Sequence, residues 1–537
     1  MHPDLAYQSD SGEAGHRPAV EKRSLLRRIV LVGTIAIVAG GVAFGVLALW
    51  LYQSARTDTV GELEFTQELK IPPLLEPERG ADGGAIYQLE MQEGFSELLP
   101  GVQTETWGVN GSYLGPTIRA ERGDWVRMEV ENGLPEATTL HWHGMHLPAD
   151  ADGNPHQLIG PGGDWSPTWQ IRQPVGTLWY HPHRMGMTAD HVYRGLAGMF
   201  LIDDPENVPD ELPQTYGVDD IPVIIQDKRF TDDGGLDRSE PFGSQVGQLG
   251  DTILVNGTYM PYLDVERERV RLRVLNASNG RFYNLQFADG RPFQLIGTDG
   301  GLLTQAQELT EVQVSPGERA EIIVTLEPGE RTSLISADPD LTLEGFSHRF
   351  SGGDDTLALL ELRAAENLGP APQLPAVLAE DELPEAEDAT VNRQFVLDGT
   401  SRINDKRMDM NRIDTVVGVD TTEIWEVTNS SGSPHSFHVH DVQFRVLEIG
   451  GQDPPVELTG AKDTVFIPRN ATVRIAIEFT DYSDPQTPYM YHCHLLRHED
   501  NGMMAQFTVV EADEVDSAPR EITGVHDDHN REQGDSQ

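Results

Sequence analysis

Residues 491–503 read Tyr-His-Cys-His-Leu-Leu-Arg-His-Glu-Asp-Asn-Gly-Met, and they contain the only cysteine among 537 residues. Cysteine, two histidines and a weakly bound axial methionine form the ligand set of a blue electron-transfer copper site. Cys493, His498 and Met503 supply three of these four ligands, so a second histidine must come from elsewhere in the chain. The stretch therefore indicates a candidate blue copper site.

The histidines beside Cys493 indicate a second metal centre next to the first. If residues 491–495 form a strand, successive side chains alternate between its two faces, and His492 and His494 then point away from Cys493. One strand would contact a copper ion on one face and a different metal centre on the other. A buried free cysteine beside structural histidines is the simpler interpretation, but the other histidines of the chain argue against it.

The composition excludes several classes of partner. The formal net charge is −48, because 87 Asp and Glu residues outnumber 39 Lys and Arg residues. A field this negative repels nucleic acid and anionic lipid surfaces, so no nucleic-acid partner is expected. A single cysteine also rules out a disulfide within the chain, so the stability must come from apolar cores.

Residues 29–52 are apolar and uncharged, and they follow Lys22, Arg23, Arg27 and Arg28. A segment of this length can cross a bilayer, which takes about 20 residues. The basic flank favours an N-terminus in the cytoplasm and a body at the outer face of the cytoplasmic membrane. A cleaved export signal, leaving a secreted protein, is the alternative, and the arginine pair is compatible with twin-arginine export.

A repeat predicts three similar β-sandwiches. Beyond residue 60 the chain shows short alternating apolar runs broken by Gly, Pro, Asn and Asp, with almost no helical periodicity, which is typical of sandwich folds. A turn motif followed by an alternating strand that ends in Asn recurs at domain spacing. The turns lie at residues 109–113, 255–259 and, more weakly, 398–400, and the strands at residues 126–132, 270–276 and 423–429.

These patterns predict an all-β protein with an N-terminal transmembrane helix. The predicted segments are a cytoplasmic disordered segment (1–28), an anchor or signal (29–52), three domains (60–205, 212–365 and 390–512), a linker (366–389) and an acidic disordered tail (513–537).

Four His-x-His pairs divide equally between the first and third domains. They are His141 and His143, His181 and His183, His438 and His440, and His492 and His494. Each pair places two imidazoles on one face of a strand. Eight imidazoles at an interface between related domains suit a cluster of three copper ions, shared as two, three and three, although zinc would suit any one pair. His435 then completes the blue site, and Pro182 occupies the first-domain position that corresponds to Cys493.

With these motifs, the sequence resembles the three-domain multicopper oxidases of the bacterial laccase-like and cuprous-oxidase type over about residues 60–512. The resemblance implies three cupredoxin-like Greek-key β-sandwich domains and four copper ions: one type 1, one type 2 and a type 3 pair. By position, His141 and His438 would hold the type 2 copper. The type 3 ligands would be His143, His181 and His494 for one ion and His183, His440 and His492 for the other. The second domain would act as a spacer.

The resemblance also implies the reaction. A copper-dependent oxidoreductase of this type couples four one-electron oxidations of a donor to the reduction of O₂ to two waters. Electrons would arrive through the edge of His435 or His498 and cross Cys493 to the cluster. Asp152 and Glu499 match positions that relay protons in the family, and the alternative is that they only orient histidines.

The sequence motifs that bear on the electron donor point to two different donor classes. Residues 408–411 (Met-Asp-Met-Asn) match the cuprous oxidases, which favours a role in copper tolerance as an alternative function. However, residues 429–434 lack the acid and methionines of that type, and the 13 methionines of the chain are scattered. Phenols, aromatic amines or metal ions are therefore the expected donors, with cationic ones favoured by the acidic surface.

Three other classes of function compete with an oxidase. A copper nitrite reductase needs only one mononuclear catalytic copper, and the second His-x-His pair in each domain argues against it. A cupredoxin scaffold without copper is disfavoured because all the metal-binding residue types are present. A protein that sequesters copper without turnover would bind copper fully and consume no O₂.

Overall fold

The computed structural model describes residues 19–81 and 83–522. The chain forms two separate units, an N-terminal one that ends at Ala55 and a main one that begins at Arg56. The N-terminal unit contains a helix, and the main unit is built almost entirely of strands.

Helix α1 (Ala19–Ser54) is the long apolar segment expected from the sequence. Its part Arg27–Ser54, 28 residues, is long and apolar enough to cross a membrane. The prediction of disorder for residues 1–28 is wrong from Ala19 onward, because residues 19–28 contain neither Gly nor Pro and are rich in good helix formers. The remainder of that predicted segment, 1–18, lies outside the described residues.

The segment after the helix lies along the second sandwich. Strand β1 (Gln67–Glu68) pairs in parallel with Pro261 and Tyr262. Leu69 is buried in the apolar core of the second sandwich, and its N–H donates to the carbonyl of Tyr262 at 2.8 Å. The sheets of the first sandwich therefore begin only at Leu74.

The first sandwich consists of two sheets with the strand orders β10-β7-β4-β3, where β5 also pairs with β4 and β9 with β7, and β2-β6-β12-β11-β8. Its elements are β2 (Leu74–Leu75), β3 (Glu78–Arg79), β4 (Ala85–Leu99), β5 (Val102–Val109), β6 (Thr117–Glu121), β7 (Trp125–Asn132), β8 (His141–His143), β9 (Asp164–Trp165), β10 (Thr168–Gln170), β11 (Gly176–His181), α2 (Thr188–Arg194) and β12 (Gly198–Asp203).

The second sandwich has the orders β1-β16-β24-β23-β18-β21 and β15-β14-β13-β17-β22-β19-β20. Its elements are β13 (Asp220–Lys228), β14 (Thr252–Val255), β15 (Thr258–Tyr259), β16 (Pro261–Arg267), β17 (Arg269–Asn276), β18 (Tyr283–Phe287), β19 (Phe293–Thr298), β20 (Gly301–Leu309), β21 (Glu311–Val314), β22 (Arg319–Thr325), β23 (Arg331–Ala337), α3 (Gly345–Phe350) and β24 (Thr356–Gly369).

The third sandwich has the orders β26-β25-β28-β32-β30 and β27-β34-β33-β29-β31. Its elements are β25 (Val391–Asp398), β26 (Arg402–Ile403), β27 (Thr415–Gly418), β28 (Thr421–Asn429), β29 (His435–Val439), β30 (Phe444–Ile449), β31 (Thr464–Ile467), β32 (Thr472–Phe479), β33 (Tyr489–Cys493), α4 (Leu496–Asp500) and β34 (Met504–Val510). The prediction of an all-β fold with three sandwiches and an N-terminal apolar helix is thus confirmed.

The repeat seen in the sequence has a common structural basis. Asn132, Asn276 and Asn429 each use the side-chain amide to donate to two carbonyls, and each side-chain oxygen accepts from the N–H two residues on. These bonds close the same corner in each sandwich. The turn motif also recurs, but its third copy is at Asn404 and not at residues 398–400. Asn110, Asn256 and Asn404 share a positive φ and a reciprocal bond to the strand beside them.

The predicted tail begins later than residue 513. Val515, Ala518 and Ile522 pack against a small core of Ile413, Val416 and Val510. These apolar side chains hold the segment on the third sandwich, so disorder from residue 513 is a wrong prediction as far as Ile522. Residues 523–537 lie outside the described part of the chain.

Candidate metal centre

The pairing of β8 with β11 brings the histidines of the first sandwich together. His141 lies opposite His181, and His143 lies opposite Trp179. Residue 182 directly follows the last residue of β11, so the missing N–H of Pro182 interrupts no ladder. His183 lies just beyond it, and all four imidazoles are buried.

The third sandwich repeats this arrangement with β29 and β33. His438 lies opposite His492, and Phe437 lies opposite Cys493. The alternation expected along residues 491–495 is present, because His492 and His494 face the other histidines while Cys493 lies in the sandwich core. Pro182 and Cys493 therefore occupy corresponding positions.

The two sets of histidines meet across the interface of the first and third sandwiches. The ring of His141 stacks on that of His440 with centroids 3.9 Å apart. The ring of His143 stacks on that of His438 at 3.7 Å, with only 10° between the planes. Eight imidazoles thus form one buried cluster.

Within this cluster, nitrogen atoms converge in groups of three. In each group, the candidate ligand atoms lie within 4.8 Å of one another, a spacing that one metal ion can bridge. The groups are His141, His143 and His438; His143, His181 and His494; and His183, His440 and His492. The six residues predicted for the type 3 pair fall into the two expected triplets.

Hydrogen bonds orient the rings with one nitrogen inward. Nδ1 of His141 donates to the carbonyl of Asp152 at 2.8 Å, and Nδ1 of His438 donates to the carbonyl of Asp463 at 2.9 Å. The Nε2 atoms of both rings, and both nitrogens of His494, have no hydrogen-bond partner among the described residues. Buried nitrogens without partners are costly unless a ligand satisfies them, so these residues fit a metal site.

The cluster keeps its imidazoles neutral. Burial lowers the pKa of His494 to about 3 and that of His440 to about 4, although Asp152 favours the charged form of His440. Burial and the neighbouring histidines also lower the pKa values of His143, His181, His183, His438 and His492. Neutral imidazoles have the free lone pair that metal binding requires.

The two predicted acids, Asp152 and Glu499, lie against the cluster in different environments. Glu499 lies between Nδ1 of His183 and Nδ1 of His492, at 3.3 Å from each. Burial raises its pKa well above the ordinary value, which favours the protonated acid. Asp152 accepts from Nδ1 of His440 at 2.8 Å. Burial alone would raise the pKa of Asp152, but His440 and His141 outweigh it and lower the pKa, so this group is an anion.

The two histidines and the cysteine predicted for the blue site lie together in the structure. The thiol sulfur of Cys493 lies 3.4 Å from Nδ1 of His435 and 3.6 Å from Nδ1 of His498. Met503 is buried, and its carbonyl accepts from the N–H of Cys493 at 3.1 Å. Burial raises the pKa of the thiol to about 12, and a bound cation would reverse this because a coordinating thiol is deprotonated.

A loop of the second sandwich covers the blue site. The backbone of Gln245 hydrogen-bonds to the ring of His498, and its side-chain oxygen accepts from the hydroxyl of Ser433 at 3.3 Å. His435 and His498 are only 0% and 2% exposed. The second sandwich therefore contacts the candidate blue site, which is more than the spacing role expected from the sequence.

Two further residues beside the cluster belong to no motif that is recognisable in the sequence. Asp463 accepts from Nε2 of His143 at 3.1 Å and is paired with Arg319 of the second sandwich. Neither residue belongs to a histidine motif, and 144 positions separate them. Only the folded arrangement identifies them.

Comparison with known proteins agrees with this architecture. Three family models described as multicopper oxidase match residues 90–207, 233–349 and 380–513. The multicopper oxidase mco of Staphylococcus epidermidis is 35% identical over 451 residues, covering 82% of this chain and 92% of that protein. The cell division protein FtsP of Escherichia coli strain K12 is 36% identical over 451 residues, with coverage of 82% and 93%.

Solved structures lead to the same family. The laccase from Pediococcus acidilactici superposes with a TM-score of 0.74 at 35% identity, covering 84% of this chain and 96% of that one. The laccase-like multi-copper oxidase CueO from Ochrobactrum sp. has a TM-score of 0.74 at 34% identity, with coverage of 82% and 100%. This chain belongs to the multicopper oxidase family and is a copper-dependent oxidoreductase.

Proposed function

We propose that the chain holds four copper ions and uses them to oxidise aromatic donors at the expense of O₂. The observation that carries the proposal is the convergence of three buried histidine triplets next to the Cys493 group. The type 1 ion would be held by His435, Cys493, His498 and Met503, and the type 2 ion by His141 and His438. The type 3 ions would be held by His143, His181 and His494 and by His183, His440 and His492.

Copper bound in these groups would supply the one-electron chemistry by which four electrons from donors, together with four protons, reduce O₂ to two waters. The chain itself supplies the connection between the two sites. Cys493 is bonded through the backbone to His492 on one side and His494 on the other, and these belong to different triplets. The covalent path supports electron transfer from the blue site to both halves of the cluster.

Glu499 is the proposed proton donor to the cluster. It is buried, burial raises its pKa well above the ordinary value, and it lies between two histidines of the same triplet. Asp152, by contrast, is an anion that accepts from His440. Two acids whose pKa values are shifted in opposite directions suit two roles: a donor of protons and a group that fixes the imidazole tautomer.

The surface beside the blue site favours aromatic donors. Phe242 and Phe346 are 74% and 51% exposed, and the rings of Phe346 and Phe350 stack with centroids 4.0 Å apart. Gly243 lies against Phe350 and Phe346, and Gln245, two residues on, contacts His498. An exposed aromatic surface this close to the covered histidine can stack a phenol or an aromatic amine.

A cuprous oxidase is the second candidate function. The N–H of Met408 donates to the carbonyl of Gly502 at 3.0 Å, so the Met-Asp-Met segment lies beside the blue-site loop. Thioethers bind Cu(I) well. This alternative predicts faster O₂ uptake with Cu(I) than with any phenol.

The location of the protein is also a proposal. Helix α1 has the length and composition of a single membrane span, and the arginines before it favour an N-terminus in the cytoplasm. We infer that the three sandwiches lie at the outer face of the cytoplasmic membrane, or are secreted if the helix is cleaved.

Copper analysis combined with O₂ uptake tests these proposals. We expect close to four copper ions per chain and O₂ uptake with a phenol that exceeds the uptake with Cu(I) or Mn(II). Fewer than two copper ions would favour a scaffold. Full copper occupancy without O₂ uptake would favour sequestration, and nitrite consumption would favour a nitrite reductase.

A further inference from the structure

A buried ion pair between the second and third sandwiches lies directly behind His143. The guanidinium of Arg319 donates from Nη1 to Oδ1 of Asp463 at 2.8 Å and from Nη2 to the other carboxylate oxygen. Both side chains are fully buried. The pair is bidentate, which fixes the carboxylate in direction as well as in position.

Arg319 is itself held by all three sandwiches. Nε donates to the carbonyl of Thr177 in the first sandwich at 2.9 Å. Nη1 also donates to the carbonyl of Gly317 at 2.8 Å, and Nη2 also donates to the carbonyl of Asp299 at 3.0 Å. With the two bonds to Asp463, all five N–H donors of the guanidinium are used.

Asp463 in turn orients two histidines of the cluster, one from the first sandwich and one from the third. Its carboxylate accepts from Nε2 of His143 at 3.1 Å, which leaves Nδ1 of that ring facing the other histidines. Its backbone carbonyl accepts from Nδ1 of His438 at 2.9 Å. The hydroxyl of Thr464 lies 3.2 Å from both rings and donates to the Asp463 carboxylate.

Glycines let these groups approach the cluster. Gly144 follows His143 and has a φ of +88°, and a Cβ there would lie 2.6 Å from the Asp463 carboxylate and 2.9 Å from Arg319. A Cβ at Gly317 would lie 2.9 Å from the ring of His494. The backbone of the second sandwich therefore touches the metal centre without contributing a histidine.

We propose that Arg319 is a positioning residue for the cluster: through Asp463 it fixes the ring orientation and tautomer of His143 and the ring of His438. The second sandwich then forms a wall of the metal centre. This inference rests on the copper assignment proposed above. It concerns one type 3 ion, for which His143 is a proposed ligand, and the type 2 ion, because His438 is a proposed ligand and His143 lies in the same triplet. The corresponding acid of the first sandwich, Asp152, has no Lys or Arg partner among the described residues.

Arg273 provides a matched control. It is also buried between the first and second sandwiches, and it also contacts Thr177, donating to its hydroxyl at 2.9 Å. Its other partners are Asp220 and Glu321, and it contacts no histidine of the cluster. Arg273→Met removes an equally buried cation from the same region and is expected to leave the metal centre unchanged.

The test compares copper-loaded full-length wild type, Arg319→Met and Arg273→Met by electron paramagnetic resonance, copper content and blue absorption. We expect Arg319→Met to bind the type 2 ion 10- to 100-fold more weakly or to change its hyperfine splitting. The blue absorption should persist. Arg273→Met should keep the wild-type spectrum even if its melting temperature falls as far as that of Arg319→Met. The single variant Asp463→Asn and the double variant Arg319→Met/Asp463→Asn are measured in the same way. The spectral change in the double variant should not exceed the larger of the changes in the two single variants, because both residues act through one contact.

Two results would overturn the inference while leaving the copper assignment intact. One is a wild-type type 2 spectrum at full occupancy in Arg319→Met, and the other is the same spectral change in Arg273→Met. If Arg319→Met does not fold, Arg319→Lys replaces it. Lysine keeps the charge but cannot form the two-point contact, so an unaltered type 2 spectrum in Arg319→Lys would also reject the role. Fewer than two coppers in the wild type would reject the copper assignment and this inference together.

Discussion

Asp152 of the first sandwich accepts a 2.8 Å hydrogen bond from Nδ1 of His440 in the third. Asp463 of the third sandwich accepts in turn from Nε2 of His143 in the first. Each acid also binds a histidine of its own sandwich through its backbone carbonyl. The interface is therefore cross-linked by two equivalent acid–histidine contacts, and removing either acid should loosen both halves of the cluster.

Cys493→Ser should abolish the blue absorption and nearly all oxidase activity. The serine hydroxyl is a poor replacement for a soft thiolate, whereas the eight clustered histidines do not contact the sulfur. We expect about three copper ions to remain, measured by atomic absorption together with paramagnetic resonance. Retained turnover with a phenol would show that electrons reach the cluster by another route.

Glu499→Gln should slow O₂ reduction by a factor of about 10²–10⁴, the usual contribution of general acid catalysis. Glutamine keeps the size and polarity of the protonated acid but cannot deliver an acidic proton. The rate at which a donor reduces the blue copper, measured by stopped-flow as the loss of the blue absorption, should change little because Glu499 lies on the other side of β33. Equal slowing of both steps would assign Glu499 a purely structural role.

The copper-free protein should lose stability as the pH falls from about 6.5 to 4. The folded-state pKa values of His440 and His498 are lowered to about 4 and that of His494 to about 3, so the unfolded chain binds more protons in this window. Stability therefore rises with pH and levels off above the unfolded pKa of about 6.5. Each such histidine contributes a slope of about 1.4 kcal/mol per pH unit between its two pKa values.

Urea unfolding of the apoprotein at several pH values measures this slope. His494→Asn should reduce it, and His348→Gln, at a partly exposed position away from the cluster, should not. A slope that is the same in His494→Asn as in the wild type would contradict the assignment.

Phe346→Ala should raise the KM for phenols about tenfold and leave kcat largely unchanged. The loss of one stacking contact removes binding that is equal in the ground and transition states, and such contacts contribute about 0.5–1.5 kcal/mol. Oxidation of a small inorganic donor should be unaffected. Phe95, which is 66% exposed on the first sandwich, provides the matched control variant Phe95→Ala. An equal KM for phenols in Phe346→Ala and wild type would show that this aromatic surface does not bind the donor.

The sequence predicted the parts of the metal centre that local spacing encodes. His-x-His on a strand fixes two imidazoles on one face, and the neighbours of Cys493 fix the relation of the two sites, so both could be inferred before folding. Asp463 and Arg319 are different because their relation to His143 exists only after three sandwiches assemble. The loop around Gln245 was missed for the same reason, and Asn404 was missed because the nearby Asp-Gly turn resembles the repeat more closely in sequence.

With the covering loop over His435 and His498, the proposed function assigns donor selectivity and metal binding to different residues. In the proposed function, donors bind residues of the second sandwich and not the ligands themselves, so mutations near Phe242 and Gln245 should change donor selectivity while the copper ligands stay intact. A laboratory programme seeking new dye or pollutant oxidation with this scaffold would begin by randomising that loop, leaving every histidine untouched.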